Sequence, residues 1–273
     1  MTTTPVPTTP TKGIARSIAL FKAFKFERSD PALFYSVQAE DTMTQLERDF
    51  SFDGATVLDI GGGAGYFSKA MQIRGAAVIL VEPEAGMPQP ERFRDPGAIL
   101  TDDEQHRRDT WPGKMVPNTT VAGDGYVLPF RDDAFDLVFS SNVLEHVNDP
   151  EAFIRESIRV AKPGGIVYVS YTVWLSPYGG HETSPWHFLG GNYARRRFEK
   201  KTGKAPENIY GESMFACYVA PILKIAKQLQ NVEIIRVEAR HLPTWMRWVI
   251  SVPLLNEVLT QNLALTFRVK KSS

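Results

Sequence analysis

The sequence has little of several features that would assign it quickly to a class. It contains one cysteine, Cys217, which excludes an intramolecular disulfide and a cysteine-rich metal site and agrees with a reducing compartment. No run of about 18 apolar residues occurs, which argues against a membrane-spanning helix. Residues 1–12 lack the apolar core of a secretory signal, and their threonine and proline content predicts a disordered tail.

Net charge is also absent. The 31 lysines and arginines balance the 31 aspartates and glutamates, so the chain lacks the long-range attraction that nucleic-acid binding normally uses. The composition, 43% hydrophobic and 23% charged, is that of an ordinary folded protein. We therefore expect a cytoplasmic protein with a small-molecule or lipid-linked substrate and no nucleic-acid partner.

The N-terminal part of the chain has helical patterns. Residues Gly13–Arg28 place Ile14, Ile18 and Phe21 at helical spacing among basic residues, which predicts a basic amphipathic helix. Asp30 and Pro31 are typical of a helix start and predict a second helix running towards Leu46. We interpret residues 13–50 as a helical extension or lid.

From Thr56 onward, short apolar runs alternate with helical segments, which is typical of a mostly parallel sheet covered on both faces. Helices are predicted at Tyr66–Ile73, at Pro150–Ala161 and near Ala220–Gln230. This order predicts an α/β doubly wound, mostly parallel seven-stranded sheet whose last strand is a candidate for antiparallel pairing. The predicted strands are Thr56–Ile60, Ala77–Val81, Thr120–Gly123, Phe135–Ser140, Ile166–Tyr171, Val232–Ala239 and Leu263–Val269.

Two stretches are too long for simple connections in a compact domain. They lie near residues 86–118 and 174–215, and we interpret them as insertions that build a lid or a substrate wall. The predicted organisation is therefore one domain over residues 51–273 with two insertions, preceded by the extension.

A glycine-dense turn follows the first predicted strand. Glycines at 61, 63 and 65, with Gly62 between them, lie between a buried strand and a helix start, where the backbone can approach a ligand closely. A G-x-G-x-x-G dinucleotide site would need a glycine at position 66, which is Tyr66. The next strand delivers Glu82, an acid placed to accept hydrogen bonds from ribose hydroxyls.

Three further motifs follow in order: Gly123-Asp124-Gly125, the segment from Phe135 to Val147, and Lys162-Pro163-Gly164-Gly165. Together with the glycine turn, they resemble the motifs of class I S-adenosylmethionine-dependent methyltransferases over Thr56 to Tyr171. Within that class, the segments Phe34–Thr42 and Ser170–Glu182 are similar to those of actinobacterial methyltransferases, in a subgroup that includes enzymes acting on lipids, quinones and small molecules.

The resemblance implies a Rossmann-like methyltransferase fold with S-adenosyl-L-methionine as cofactor and S-adenosyl-L-homocysteine as product. It implies transfer to an O or N atom of a small or lipid-linked acceptor, with a role in cell-envelope lipid or glycolipid metabolism as one interpretation. The cofactor-binding residues that it implies are Tyr35, Asp59, Gly61, Gly62, Gly63, Gly65, Tyr66, Phe67, Glu82, Pro83, Asp124, Gly125, Tyr126, Ser141 and Asn142.

Several alternatives stay open at this point. Asp59 is as well explained by capping the glycine turn as by contact with the cofactor amine. A nicotinamide-dependent oxidoreductase and a non-catalytic protein that binds the cofactor are the competing functions. Tyr66 in place of the third glycine argues against the first of these.

Methyl transfer from a sulfonium needs mainly alignment and exclusion of water, and a base is useful when the acceptor loses a proton. His146, His181 and Glu182 are the catalytic candidates, because they follow the predicted fourth and fifth strands. A capping or packing role is the alternative for each. His181, Glu182 and His187 are poorly spaced for a metal, so we expect no metal site.

The segment from Trp245 to Leu255 is unusually apolar for a connection between strands. Together with the basic helix from Gly13, it suggests contact with the inner face of the membrane, from which a lipid-linked acceptor would be reached. Core packing or a dimer contact is the alternative. The oligomeric state is not predicted.

Overall fold

The computed structural model describes residues 12–26, 29–83 and 119–270. The predicted tail therefore lies almost wholly outside the described residues, and so does the predicted insertion near 86–118. Among the described residues, no helix has the length and apolarity needed to cross a bilayer.

The strands form one sheet of seven, in the order β3-β2-β1-β4-β5-β7-β6. β7 runs antiparallel to both of its neighbours, β5 and β6, and the other pairings are parallel. This confirms the predicted fold class. The strands are β1 Thr56–Ile60, β2 Ala77–Glu82, β3 Thr119–Ala122, β4 Phe135–Ser141, β5 Ala161–Thr172, β6 Val232–Ala239 and β7 Asn262–Val269.

The α-helices are α1 Gly13–Ala23, α2 Pro31–Leu46, α3 Tyr66–Ile73, α4 Pro150–Val160, α5 Gly191–Thr202, α6 Val219–Gln228 and α7 Leu255–Leu259. Short 3-10 helices lie at Phe24–Phe26, Leu144–His146, His181–Thr183, Trp186–Leu189 and Thr244–Ser251. Among the described residues, the pairs Asp30-Pro31 and Asp149-Pro150 begin helices as their chemistry predicts. The Asp30 carboxylate accepts a hydrogen bond from the Leu33 N–H, and the Asp149 carboxylate accepts one from the Ala152 N–H.

Alternate residues of each central strand pack into two separate apolar cores, one on each face of the sheet. In β1, Leu58 points into the core that contains Phe153 of α4 and Ile222 of α6. Val57 points to the opposite face, where Met43 of α2 and Met71 of α3 pack. The second predicted helix is thus part of the main fold, because its apolar side closes one face of the sheet.

Two predicted boundaries were wrong. The predicted helix Gly13–Arg28 is α-helical only to Ala23 and continues as a 3-10 turn to Phe26. β5 begins at Ala161 and includes the Lys162 to Gly165 turn motif, whereas the prediction began at Ile166. Ala161 pairs with Phe135 across a β-bulge, and this irregular pairing extends the strand in a way that the sequence pattern does not show.

Candidate functional site

The glycine turn between β1 and α3 has the backbone that only glycine adopts easily. Gly61, Gly63 and Gly65 have φ values of 71°, 56° and 77°. At Gly62, an added Cβ atom would lie 2.5 Å from an Asp59 carboxylate oxygen and 2.6 Å from the Leu80 side chain. The turn therefore excludes side chains on its inner side.

Asp59 lies beneath this turn and is fully buried. The Ser68 hydroxyl donates a 2.6 Å hydrogen bond to Oδ2 of Asp59, and Oδ1 has no hydrogen-bond partner among the described residues. Burial, together with the nearby Glu82 charge, raises the pKa of Asp59 to about 7, against the opposing effect of the hydrogen bond from Ser68. The carboxyl group caps the turn through Ser68 and keeps one oxygen available.

Glu82 is the last residue of β2, and its carboxylate accepts a hydrogen bond from the Gly63 backbone N–H. This contact joins the end of the second strand to the middle of the turn. Pro83 follows Glu82 at the limit of the described residues. An acceptor group thus lies beside the backbone N–H groups at the start of α3, where a ligand with sugar hydroxyls would lie.

The segment after β3 is held by its own backbone. Oδ1 of Asp124 accepts hydrogen bonds from the N–H groups of Tyr126 and Val127, while Oδ2 is buried without a partner. Burial raises the pKa of Asp124 to about 6. Gly125 packs so closely on Phe153 that a Cβ atom would lie 2.5 Å from its ring.

The Tyr126 hydroxyl forms hydrogen bonds with the residues just before α4. It accepts hydrogen bonds from the backbone N–H groups of Asn148 and Asp149 and donates one to the Asn148 side chain. The structure therefore gives this hydroxyl a positioning role for the segment before α4. A contact between Tyr126 and the cofactor stays a prediction.

A cavity of about 930 Å³ opens above the carboxyl ends of the central strands. Twelve of the predicted site residues line it: Tyr35, Asp59, Gly61, Gly62, Gly63, Tyr66, Phe67, Ser141, Asn142, His146, His181 and Glu182. The other predicted residues, Gly65, Glu82, Pro83, Asp124, Gly125 and Tyr126, do not line it and lie in the turn or at the ends of β2 and β3.

Tyr35 links α2 to the glycine turn. Its ring stacks on the Tyr66 ring, with centroids 5.6 Å apart and planes inclined by 13°. This contact places the start of α2 beside the start of α3 at the cavity. A contact between Tyr35 and the cofactor stays a prediction.

Ser141, the last residue of β4, and Asn142, which follows it, line the cavity. The Ser141 hydroxyl accepts a hydrogen bond from Arg240, and the Asn142 side-chain oxygen accepts one from Asn262. Asn142 has a φ of 58°, a left-handed conformation that is uncommon outside glycine and that asparagine tolerates. These contacts connect β4 to the ends of β6 and β7.

The catalytic candidates also line the cavity and differ in their hydrogen-bond partners. The Glu182 carboxylate accepts hydrogen bonds from both the backbone N–H and the side-chain amide of Asn208, which lower its pKa. Burial lowers the pKa of His181, so its imidazole is neutral at pH 7. The rings of His146 and His181 are in contact, with centroids 5.4 Å apart.

The residues that sequence reasoning missed are Gln38, Arg240 and His241, which also line the cavity. Arg240 is 5% exposed and donates to the Gln38 carbonyl oxygen and to the hydroxyls of Thr42 and Ser141. Among the described residues, no ion pair with a carboxylate is formed by Arg240. A signal was present in the sequence, because Gln38 interrupts the apolar side of α2.

His241 is buried beside this cation. Its Nε2 atom lies 3.3 Å from the Gln38 side-chain oxygen. Burial, together with the charges of Arg240 and Arg16, holds the pKa of His241 well below its usual value. The cavity lining on this side therefore includes polar groups and the positive charge of Arg240, beside the aromatic ring of Phe24.

Comparisons with known proteins agree with this geometry. A family model described as a methyltransferase domain matches residues 35–245. An uncharacterized methyltransferase of Mycobacteroides abscessus is 38% identical over 262 residues, which cover 93% of this chain and 94% of the relative. One from Mycobacterium tuberculosis is 39% identical over 258 residues, covering 92% and 94%.

A solved structure gives the same fold. The S-adenosylmethionine-dependent methyltransferase of Mesorhizobium loti matches with a TM-score of 0.51 and 20% identity, covering 84% of this chain and 97% of that chain. The family match, the sequence relatives and the shared fold lead to one conclusion: the chain belongs to the methyltransferase-domain family.

Proposed function

We propose that the protein transfers a methyl group from S-adenosyl-L-methionine to an O or N atom of a small or lipid-linked acceptor, releasing S-adenosyl-L-homocysteine. The observation that carries the proposal is the continuous cavity of about 930 Å³, which joins the glycine turn to a polar wall built from other elements. Its size lies in the range of about 300–1,000 Å³ that is usual for ligand pockets.

The residues at the turn fit the cofactor. Glu82 and the N–H groups at the start of α3 would bind the ribose, because a carboxylate accepts hydrogen bonds from both of its hydroxyls. Asp59 and Asp124 each keep a buried carboxylate oxygen without a partner. These oxygens are acceptors for the amino groups of the methionine and adenine parts, respectively.

When bound, the cofactor supplies a methyl group that is already electrophilic. The protein then has to align the acceptor and exclude water. We assign the acceptor to the side of the cavity where Gln38, His146, His181 and Arg240 lie. His146 and His181 are the proton acceptors in this proposal, since a neutral imidazole takes a proton from a hydroxyl or an ammonium group.

The polar wall favours an acceptor with hydrogen-bonding groups. Nε of Arg240 and the side-chain nitrogen of Gln38 are buried and have no hydrogen-bond partners within the part of the chain that the structure describes. An acceptor that carries an oxyanion or a carbonyl oxygen would satisfy both donors. The family match removes the support for the nicotinamide-dependent alternative.

The test is to incubate the protein with S-adenosylmethionine carrying a labelled methyl group, together with fractionated lipid and polar cell extracts, and to identify the labelled product. A labelled small molecule or lipid is the expected result. Label confined to protein or nucleic acid would overturn the acceptor class. Cofactor binding without turnover in any fraction would favour the non-catalytic alternative.

We also propose contact with an anionic membrane surface. On α1, Ile14, Ile18 and Phe21 are exposed, and the exposed Lys22 lies on the same helix, whose other basic residue, Arg16, is buried against Asp41. Trp245 and Trp248, in the 3-10 helix after β6, are 62% and 52% exposed. Exposed aromatic and aliphatic side chains combined with basic residues are typical of helices that lie in a membrane interface.

Flotation with anionic vesicles at low salt tests this contact. Protein recovered with the vesicles, and less of it after replacement of Trp245 and Trp248 by serine, is the expected result. Protein that stays entirely in the soluble fraction would contradict membrane contact while leaving the methyl-transfer proposal unaffected.

A further inference from the structure

Three side chains of metal-binding type meet at the acceptor side of the cavity. Glu145, His146 and His181 each offer one ligand atom, and these atoms lie within 4.8 Å of one another. Two imidazoles and one carboxylate form a ligand set for divalent transition metals. We infer that these residues form a binding site for a divalent transition-metal ion beside the acceptor.

The Glu145 carboxylate is the strongest observation for the site. Its side chain is 2% exposed, and Oε1 accepts a 3.0 Å hydrogen bond from the backbone N–H of Thr172. Oε2 is buried and has no hydrogen-bond partner among the described residues. A buried carboxylate oxygen without a partner is costly, and a cation bound at Oε2 would compensate it.

The two histidines complete the set. Nδ1 of His146 lies 2.7 Å from the carbonyl oxygen of Ser213, so the N–H donates there and Nε2 keeps its lone pair. A hydrogen bond from the second ring nitrogen to a carbonyl is the usual way in which metal-binding histidines are oriented. Nε2 of His181 is buried and has no hydrogen-bond partner in residues 12–26, 29–83 and 119–270.

The neighbouring carboxylate of Glu182 and imidazole of His187 already have hydrogen-bond partners. Both oxygens of Glu182 accept hydrogen bonds from Asn208, and Nε2 of His187 lies 3.1 Å from the Ser176 carbonyl oxygen. From the sequence we grouped His181 with Glu182 and His187, and because their spacing is poor for a metal, we predicted no metal site. Glu145 comes close to His181 only through the fold, because one residue follows β4 and the other lies in the segment after β5.

Three protein ligands leave coordination positions on such an ion, and His146 and His181 line the cavity. A bound cation lowers the pKa of a coordinated hydroxyl, which favours an acceptor that bears an alcohol, phenol or enol group. With an ion bound, the lone pairs of His146 and His181 serve as ligands, so in that form the ion, and not these imidazoles, activates the acceptor hydroxyl. This use of the ion rests on the proposed methyl transfer, whereas ion binding itself does not.

The experiment is a titration of the full-length, chelator-treated protein with Co²⁺, followed by its visible absorption, and then competition with Zn²⁺. We expect about one Co²⁺ per chain, displaced by Zn²⁺. Glu145→Gln keeps an oxygen for the Thr172 N–H, and His181→Asn suits the left-handed backbone at φ 47°. Each variant should weaken Co²⁺ binding by at least about tenfold.

His187→Gln is the matched control, because it removes a histidine of the same segment that lies outside the cluster, and it should bind Co²⁺ like the wild type. Binding of S-adenosylhomocysteine is measured on every variant and should persist in Glu145→Gln. A wild-type protein that binds S-adenosylhomocysteine but not Co²⁺ or Zn²⁺ would overturn the metal site, and so would Glu145→Gln with unchanged Co²⁺ affinity. A wild-type protein that binds Co²⁺ but not S-adenosylhomocysteine would instead contradict the proposed function alone.

Discussion

The two sides of the cavity are built differently. The proposed cofactor side consists mainly of one short segment, from Asp59 through the glycine turn to Ser68, with Glu82 added from the neighbouring strand. The proposed acceptor side combines Gln38, His146, His181 and Arg240, which come from four distant parts of the chain. Local backbone geometry therefore fixes the cofactor side, whereas packing between elements fixes the acceptor side. A change in how α1 or α2 packs should alter acceptor binding and leave the glycine turn intact.

The largest expected effect comes from breaking the packing that holds the acceptor side. Arg16 of α1 forms a buried bidentate ion pair with Asp41 of α2, with both distances 2.6 Å. Arg16→Met leaves the Asp41 carboxylate buried and unpaired, so the free energy of unfolding should fall by about 3–5 kcal/mol. Urea denaturation measures this change.

The control for Arg16→Met is Arg155→Met, which breaks the exposed pair with Glu151 and should cost less than about 1 kcal/mol. Similar losses of stability in the two variants would contradict the claim that packing between α1 and α2 holds the acceptor side.

The next effect concerns the cofactor side. Glu82→Ala removes the acceptor for the ribose hydroxyls and for the Gly63 N–H. Hydrogen bonds to charged groups contribute about 1.5–3 kcal/mol, so affinity for S-adenosylhomocysteine should fall by about 10- to 100-fold. Calorimetric titration measures the affinity, with the surface variant Glu151→Ala as the control. Unchanged affinity in Glu82→Ala would remove the assigned role of this residue.

A third effect depends on pH. The pKa of Asp59 is raised to about 7, and an ammonium ligand favours its ionised form, so the dissociation constant for S-adenosylhomocysteine should fall about tenfold from pH 5.5 to 7. The change should level off above pH 7, where Asp59 is ionised before binding. The same raised pKa lowers the free energy of unfolding of the ligand-free protein as pH rises from about 4 to about 7.

Titration calorimetry in buffers across this range measures both the affinity and the protons released on binding. Asp59→Asn should remove most of the pH dependence and leave the smaller part that comes from Asp124, whose pKa is raised to about 6. Ser68 and Glu82, the other polar groups that face Asp59, are unchanged in this variant. A wild-type affinity that does not vary with pH would favour the interpretation of Asp59 as a cap for the turn.

The smallest effect concerns the link between α2 and the turn. Tyr35→Ala removes the ring that stacks on Tyr66, and such aromatic pairs contribute about 0.5–1.5 kcal/mol. Affinity for S-adenosylhomocysteine should therefore fall by about 2- to 10-fold. Tyr35→Phe keeps the ring and should bind like the wild type. Equal losses in both variants would mean that the hydroxyl, and not the stacking, matters.

The same contrast explains how much the sequence could predict. The order of strands and the glycine turn follow from local patterns, since Gly61 to Gly65 lie between a buried strand and a helix start. Glu145 lies near His181, which is 36 positions away in the sequence, and Arg240 donates a hydrogen bond to Gln38, which is 202 positions away. Both contacts depend on tertiary packing, and no local sequence pattern contains that information. The start of β5 at Ala161 depends on a bulge in its pairing with β4 and was missed for the same reason.

The most direct test of the account is calorimetric titration of the wild-type protein with S-adenosylmethionine and S-adenosylhomocysteine, with NADH titrated in parallel. We predict saturable binding of both adenosyl compounds at one site per chain and no binding of NADH. A folded protein that gives no heat with either adenosyl compound but binds NADH would contradict the central claim that the turn at Gly61 to Gly65, together with Glu82, binds the methyl donor.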